Sequence, residues 1–343
     1  MSGQNYPFEI KDLSPEEFSE AYKHFANTFQ EGAVRVGPKG YFFSNGFKKE
    51  AAPIYNMPLR SDDIFVVTFP KSGTTWTQEL VWLIGNDFNY EKAAAKLLTE
   101  RFPFLEGSFF FNGEKAKKAL LDSCNGDAVK MKILEEMGKP GYEVVEKLPS
   151  PRYIKSHLPL SLLPPSLLDT TKVVYVARDP RDVAVSYFHH NRLFTLGGFT
   201  GDFKQFWESF HKDMLDWTPY FEHLKEAWDK RNHPNMLFIF YEDLLKDLPE
   251  AVRRVAKFLN KPVNDEQLER LCNHLNFHNF KNNKSVNNEP MREFGFLAEN
   301  ESFIRKGKAG GWRDYFDEKM AAQAQRWIDD NLRGTDLRLP QKN

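Results

Sequence analysis

A lysine, a glycine and three hydroxyls stand together at Lys71-Ser72-Gly73-Thr74-Thr75, just after the apolar run Phe65-Val66-Val67-Thr68-Phe69. This set can cradle an anion. A glycine at a helix start lets backbone N–H groups close on a ligand, and the helix N-terminus adds roughly half a positive charge. Thr74 and Thr75 can donate hydrogen bonds, and Lys71 supplies a full charge. The order is not that of a nucleotide triphosphatase loop, in which lysine follows the last glycine and the next hydroxyl holds magnesium. Here Lys71 precedes Gly73. Taken alone, the stretch also fits a hydroxyl-capped helix behind a buried strand.

Positioning such a loop requires a strand before it and a helix after it. Trp76, Leu80, Leu83 and Ile84 supply the helical stripe. Tyr153-Ile154, Val173-Val174-Tyr175-Val176-Ala177 and Met236 to Tyr241 are short, nearly continuous apolar runs, the pattern of buried parallel strands. Helices follow the last two: Asp179-Pro180-Arg181-Asp182 combines a capping aspartate with proline at the first helical position, and Val252, Val255, Ala256 and Leu259 mark another stripe. This alternation predicts an α/β fold, a single domain over 1–343 with a central parallel sheet flanked by helices and ligands at the carboxyl ends of its strands. Ser14-Pro15-Glu16-Glu17 is a capping box, followed by the stripe Phe18, Ala21, Tyr22 and Phe25, so a helical N-terminal extension is expected over about 1–50. Asn276 to Gly311 has little periodicity and is expected to be a long loop, a lid that Gly310-Gly311 helps to bend.

Thr68 through Trp76 resembles the 5′-phosphosulfate loop of the cytosolic sulfotransferases, which bind 3′-phosphoadenosine 5′-phosphosulfate (PAPS). Ile54-Tyr55-Asn56-Met57-Pro58-Leu59-Arg60 and Gln78-Glu79-Leu80-Val81-Trp82-Leu83-Ile84 are most similar to the arthropod branch that includes retinol dehydratase. Short motifs recur in order from about Tyr55 to Phe316. The resemblance implies the sulfotransferase fold, with a P-loop-like phosphosulfate loop. It assigns Lys71, Ser72, Gly73, Thr74, Thr75 and Trp76 to the 5′-phosphosulfate, and Arg178, Ser186 and Arg305-Lys306-Gly307 to the 3′-phosphate. Trp76, Phe277 and Tyr241 fall to the adenine. The chemistry agrees, since guanidinium grips phosphate bidentately, glycine exposes backbone N–H groups and aromatic faces stack on a base. In isolation, Arg305-Lys306 would read as a solvated charge pair, and Phe277 as core in a chain with 31 phenylalanines.

Lys155-Ser156-His157 directly follows Tyr153-Ile154. The resemblance makes His157 the general base and gives Lys155 a hold on the transferring sulfuryl group. An imidazole suits the task because its ordinary pKa, near 6.5, lies close to neutral pH. The implied reaction is in-line displacement: His157 deprotonates an acceptor hydroxyl, and Lys71 meets the charge on the bridging oxygen of departing adenosine 3′,5′-bisphosphate. Lysines and backbone dipoles meet the anionic charge, so no metal is expected. Glu100 to Glu106 resembles a segment lining the acceptor pocket, which assigns Phe102 and Phe104 to that pocket with His157 and implies a small hydrophobic phenol or alcohol. Phe109, Phe110 and Phe111 either extend the pocket or form a buried aromatic cluster.

Three features depart from the family pattern. Gly311 and Arg313 replace an aspartate and a lysine, Leu275 replaces a hydroxyl residue near the adenine, and Arg313 to Ala322 lacks a recognisable dimer motif, which leaves a homodimer possible but without a signature. Rival readings are a retinol dehydratase-like elimination through a transient sulfate ester, an ATP-dependent kinase or nucleotide hydrolase, and a non-catalytic nucleotide binder. Lys71 and Trp76 favour transfer over elimination, and Lys71, Lys155 and His157 speak against mere binding.

Composition narrows the setting. With 343 residues and 41% hydrophobic content the chain can bury a large core, and 47 basic against 48 acidic residues give no overall field for nucleic acid or an anionic membrane. Cys124 and Cys272 are too few for a disulfide framework, Met1 to Lys11 lacks the apolar core of a secretory signal, and no run is long enough to span a bilayer. A cytoplasmic location is expected. The glycosylation patterns Asn283-Lys284-Ser285 and Asn300-Glu301-Ser302 would then be inert.

Overall fold

Val34 and Val36, the glycines Gly37 and Gly40, and the aromatic run Tyr41-Phe42-Phe43 have the composition of a β-hairpin. The computed structural model describes residues 5–25, 31–110, 114–195, 198–293 and 295–340. In it, β1 (Ile10–Asp12), β2 (Ala33–Val36) and β3 (Tyr41–Ser44) make an antiparallel sheet in that order. Gly37 and Gly40 close the hairpin with φ of 66° and 65°, values that glycine adopts without strain. The N-terminal segment therefore differs from the helical extension expected over about 1–50. It holds helices α1 (Pro15–Tyr22) and α2 (Phe47–Tyr55) together with three strands, because β-branched and aromatic residues cluster where the helical stripe ends. The capping box at Ser14 is formed, with Ser14 Oγ accepting from the Glu17 amide at 3.2 Å.

The central sheet contains β4 (Ile64–Thr68), β5 (Tyr153–Ser156), β6 (Lys172–Ala177) and β7 (Met236–Phe240), all parallel, in the order β5-β4-β6-β7. Side-chain alternation divides the core in two. Phe65, Val67, Val173, Tyr175 and Ala177 pack on one face, where Val183 and Ala184 of the 180–193 helix lie. Val66, Val174 and Val176 pack on the other with Leu80, Leu83 and Ile84 of α3 (Thr74–Gly85) and with Val252 and Val255. Each fully buried valine of this kind contributes roughly 1.5–3 kcal/mol.

Register decides where the chemistry falls. Val67 is opposite Ser156, Thr68 opposite Val176, and Ala177 opposite Phe240. The residues that follow these strand ends, namely the 70–75 loop, His157, Arg178 and Tyr241, thus emerge along one edge of the sheet. The segment 276–311 is more ordered than the loop expected there, with short helices at Phe277–Asn282 and Glu289–Glu293 and a 3-10 turn beginning at Gly311. The Asn276 side chain caps the first by accepting from the Asn279 amide at 3.0 Å, an asparagine role that composition alone does not separate from a loop. Among the described residues no helix is long and apolar enough to cross a membrane.

Candidate active site

The loop between β4 and α3 turns sharply because Lys71 (φ 66°) and Gly73 (φ 106°) both have left-handed backbone. Gly73 is also sterically required, since a Cβ there would stand 2.6 Å from the ring of Tyr241. Thr74 Oγ1 and Thr68 Oγ1 share a 2.7 Å hydrogen bond that pins the helix start to its strand. Ser72 is fully buried, and its Oγ has no partner among the described residues. A buried hydroxyl left unmatched at a helix N-terminus fits an absent anion. Thr75 and Trp76 are half-buried at the same helix start. Trp76 Nε1 donates to the Leu275 carbonyl at 2.9 Å, and its ring meets Tyr241 edge-on at 5.8 Å. The side chain of Leu275 is core; what it offers this region is its main-chain oxygen.

Arg178 joins this loop to the 276–311 segment. Its guanidinium donates to the carbonyls of Lys71 (3.0 Å) and Lys308 (3.1 Å) and lies 4.3 Å from the centre of the Tyr241 ring, while its buried Nε has no partner among the described residues. Burial first, then the charges of Lys155, Arg178 and Arg305, bring the Lys71 ammonium down to about 7. Cations from three other segments therefore bear on buried Lys71, a costly arrangement unless an anion joins them. Gly307 (φ 59°) lies against Phe277, so closely that a Cβ would come within 2.1 Å of the ring; Phe277 itself is 40% exposed. Ser186 is half-buried on the 180–193 helix. Lys306 is exposed and pairs with Asp314 at 3.1 Å, the solvated pairing an isolated Arg-Lys would suggest, whereas Arg305 turns toward Tyr315 at 3.5 Å.

His157 is buried at the end of β5, held on three sides. Its amide donates to Glu106, its carbonyl accepts from His223 Nε2 at 2.9 Å, and Nδ1 lies 2.8 Å from the Thr68 carbonyl. The carbonyl can only accept, so Nδ1 carries the proton and Nε2 the lone pair. Burial, reinforced by Lys155, holds the imidazole well below its ordinary pKa of 6.5. Lys155 lies with its ammonium 4.0 Å from the centre of the Phe104 ring, and burial lowers it to about 8. The site thus offers a neutral base beside Lys155, which in turn bears on Lys71.

Around this base the aromatic wall differs from the one expected. Phe104 packs edge-on against His157 at 5.1 Å, and Trp217 does so at 5.5 Å. Phe102 does not join them. As the residue that ends the short helix Leu98–Arg101, it turns into the opposite core and packs on Tyr153 at 5.6 Å. Phe109 is likewise core, against Phe47 at 5.5 Å; Phe111 and the side chain of Phe110 lie outside the described residues.

Several contributors escaped sequence reasoning. Trp217 is far from every motif in sequence, and His190, one helical turn beyond Ser186, carries no motif of its own; His190 Nδ1 lies 3.5 Å from Lys71 Nζ, and Phe303 lies 4.6 Å from the same ammonium. Glu106 had a signal, as an acid in an apolar segment, and burial raises it to about 7 beneath His157. Asp182, the last residue of the Asp179-Pro180-Arg181-Asp182 helix start, accepts from the Gly310 and Trp312 amides at 2.6 and 2.9 Å and so anchors the turn where Gly311 and Arg313 depart from the family pattern.

Comparison with known proteins bears on this geometry. A family model described as a sulfotransferase domain matches residues 61–336. The luciferin sulfotransferase of Photinus pyralis is 32% identical over 92% of this chain and 83% of its own length. Sulfotransferase 1B1 of Canis lupus familiaris is 34% identical over 80% and 84%. A crystal structure of retinol dehydratase with androsterone and the inactive cofactor PAP shares 50% identity and a TM-score of 0.92, covering 98% of this chain and 99% of that one.

Proposed function

Because this chain belongs to the sulfotransferase family, we propose that it transfers a sulfuryl group from PAPS to the hydroxyl of a small hydrophobic alcohol or phenol. The observation that carries this reading is that Lys155, Arg178 and Arg305 all bear on buried Lys71, in a loop whose buried Ser72 hydroxyl has no partner among the described residues, while Lys155 also bears on His157. When bound, PAPS supplies the sulfuryl group: a sulfur–oxygen bond to the acceptor forms as the bond to the bridging phosphate oxygen breaks. Ser72, the α3 N-terminus and Lys71 would hold the 5′ end, and Arg178 and Arg305 the 3′-phosphate. His157 Nε2 takes the acceptor proton, and the Thr68 carbonyl keeps the ring in that orientation. Lys71 stabilises charge on the departing oxygen, and Lys155 steadies the group in transfer. Phe104 and Trp217 offer apolar faces to the acceptor. A cytoplasmic location belongs to the same proposal.

A second reading, elimination of the sulfate ester after transfer, is favoured by the similarity to retinol dehydratase. One experiment tests both. The protein is incubated with PAPS and a panel of phenols, steroids, retinoids and aliphatic alcohols, and products are followed by mass. A stable sulfate ester is the expected result, and a dehydrated hydrocarbon without accumulating ester would select elimination. Thermal stabilisation by ATP with magnesium but not by adenosine 3′,5′-bisphosphate would overturn both.

A further inference from the structure

Four side chains that the proposed chemistry leaves aside, or uses only in part, form a continuous hydrogen-bonded chain. His189, on the 180–193 helix, places Nδ1 2.8 Å from Glu301 Oε2 and Nε2 2.7 Å from the Tyr315 hydroxyl. Arg305 Nη1 lies 3.5 Å from that same hydroxyl. Donor and acceptor roles fix the direction. The Glu301 carboxylate accepts, so Nδ1 carries the proton; Nε2 then accepts from the Tyr315 O–H, and the Tyr315 oxygen stays available to the Arg305 guanidinium. Glu301 is itself anchored, with Arg192 at 3.7 Å from its other oxygen and Arg292 donating to its carbonyl at 2.7 Å. Glu301, Arg305 and Tyr315 all belong to the stretch that follows the Glu289–Glu293 helix, and His189 alone comes from the sheet-packed body. The ring of Tyr315 is seated independently of its hydroxyl, 5.2 Å from Phe203.

We propose that His189 is a positioning residue that docks the 301–315 segment onto the 180–193 helix and, through Tyr315, orients Arg305 toward the 3′-phosphate of the nucleotide. This rests on the reading of the site as a PAPS site. It differs from a purely structural role because the polarity of the chain ends on one cation, so its loss is felt by one phosphate and not by the rest of the ligand.

The test compares binding of adenosine 3′,5′-bisphosphate and adenosine 5′-phosphate to the wild type, His189→Phe, Tyr315→Phe and the double variant. Tyr315→Phe keeps the ring and removes only the hydroxyl, so it serves even if His189→Phe folds poorly. Either single variant should lower the preference for the 3′-phosphorylated nucleotide by roughly tenfold, the scale at which losing an outer partner weakens a ligand contact. The double variant should lose little more, because one chain is cut twice. With PAPS and an acceptor, KM for PAPS should rise while kcat moves less. Variants that keep the wild-type preference, or that lose affinity for both nucleotides equally, overturn the proposal alone. A wild type with no preference for the 3′-phosphate overturns both the proposal and the reading beneath it.

Discussion

The Nδ1 of His157 lies 2.8 Å from the carbonyl oxygen of Thr68, the last residue of the strand that delivers the anion loop. Thr68, whose hydroxyl also lies 3.1 Å from that nitrogen, therefore joins the candidate base to the candidate cradle. It also fixes the tautomer, since the carbonyl cannot donate, and it leaves Nε2 as the basic nitrogen.

A pH profile follows from this relationship. Burial first and Lys155 second hold His157 well below 6.5, so the neutral, active imidazole persists as pH falls past the ordinary histidine range and is lost only below it. The acid limb of kcat/KM should lie under pH 6.5; a limb centred above that value would contradict the assignment. His157→Gln should lower kcat by about 10²–10⁴-fold, the usual worth of a general base, while the Kd for adenosine 3′,5′-bisphosphate stays within about threefold. Unchanged turnover would remove His157 from the role.

Lys71 titrates with the opposite consequence. Burial and three neighbouring cations bring it to about 7 in the free protein, so it loses its proton as pH rises through neutrality. A bound polyanion offsets the neighbouring cations and favours the charged ammonium, which raises the pKa again. Binding of adenosine 3′,5′-bisphosphate at pH 8 should thus be accompanied by proton uptake and should weaken further above that pH. Calorimetry in buffers of different ionisation enthalpy measures the uptake directly. It should fall in Lys71→Met to the share taken up by Lys155, which burial brings to about 8, and its absence from the wild type would count against the convergence of charges at this lysine.

Local signals reached the strands and the loop but not the side chains that cross between elements. Phe65 to Thr68, Val173 to Ala177 and Met236 to Phe240 were legible because a strand buried on both faces reads as a nearly continuous apolar run. The parallel register then placed Lys71, His157, Arg178 and Tyr241 on one edge, as a doubly covered α/β sheet demands. Phe102 and Phe104 show where the sequence stops speaking. The two are near neighbours and chemically identical, yet the helix end at Phe102 sends one ring to Tyr153 and leaves the other at His157. His189, His190 and Trp217 likewise gain their roles from contacts across more than 50 residues, which no motif records. The N-terminal strands were missed because the strong capping box at Ser14 drew the whole segment toward helix.

Gly307 tests the lid by sterics. Its φ of 59° is left-handed, and a Cβ would meet the Phe277 ring at 2.1 Å, well inside van der Waals contact. Gly307→Ala must move either Phe277 or the 305–308 backbone, at a cost of about 1–3 kcal/mol for the strain. Because the segment is held at this point by Arg178 donating to the Lys308 carbonyl, the expected result is weaker nucleotide binding, by about tenfold or more, with a smaller change in thermal stability. Equal affinity in the alanine variant, measured by titration, would detach this turn from the site.

Stability should depend on the opposite edge of the sheet. Arg152 and Asp63, only 1% and 0% exposed, precede β5 and β4; Arg152 Nε donates to Asp63 Oδ1 at 2.7 Å, with a second bond from Nη2 to Oδ2 and another to the Pro58 carbonyl at 3.0 Å. Asp63 also accepts from the Arg60 amide at 2.8 Å, and its own carbonyl accepts from Lys172 at 3.2 Å, so the pair aligns the starts of three strands. Removing one partner strands a buried charge. Arg152→Met should therefore cost about 3–5 kcal/mol in urea unfolding, since the Asp63 carboxylate keeps its desolvation penalty and loses its counter-ion. Adding Asp63→Asn removes that charge and retains an oxygen for the Arg60 amide, so the double variant should recover a substantial part of the loss. Nucleotide affinity of the folded fraction should hardly change, because this pair lies at the strand starts and His157, Lys71 and Arg178 follow the strand ends. A double variant less stable than Arg152→Met would show that the pair acts through packing and not through charge.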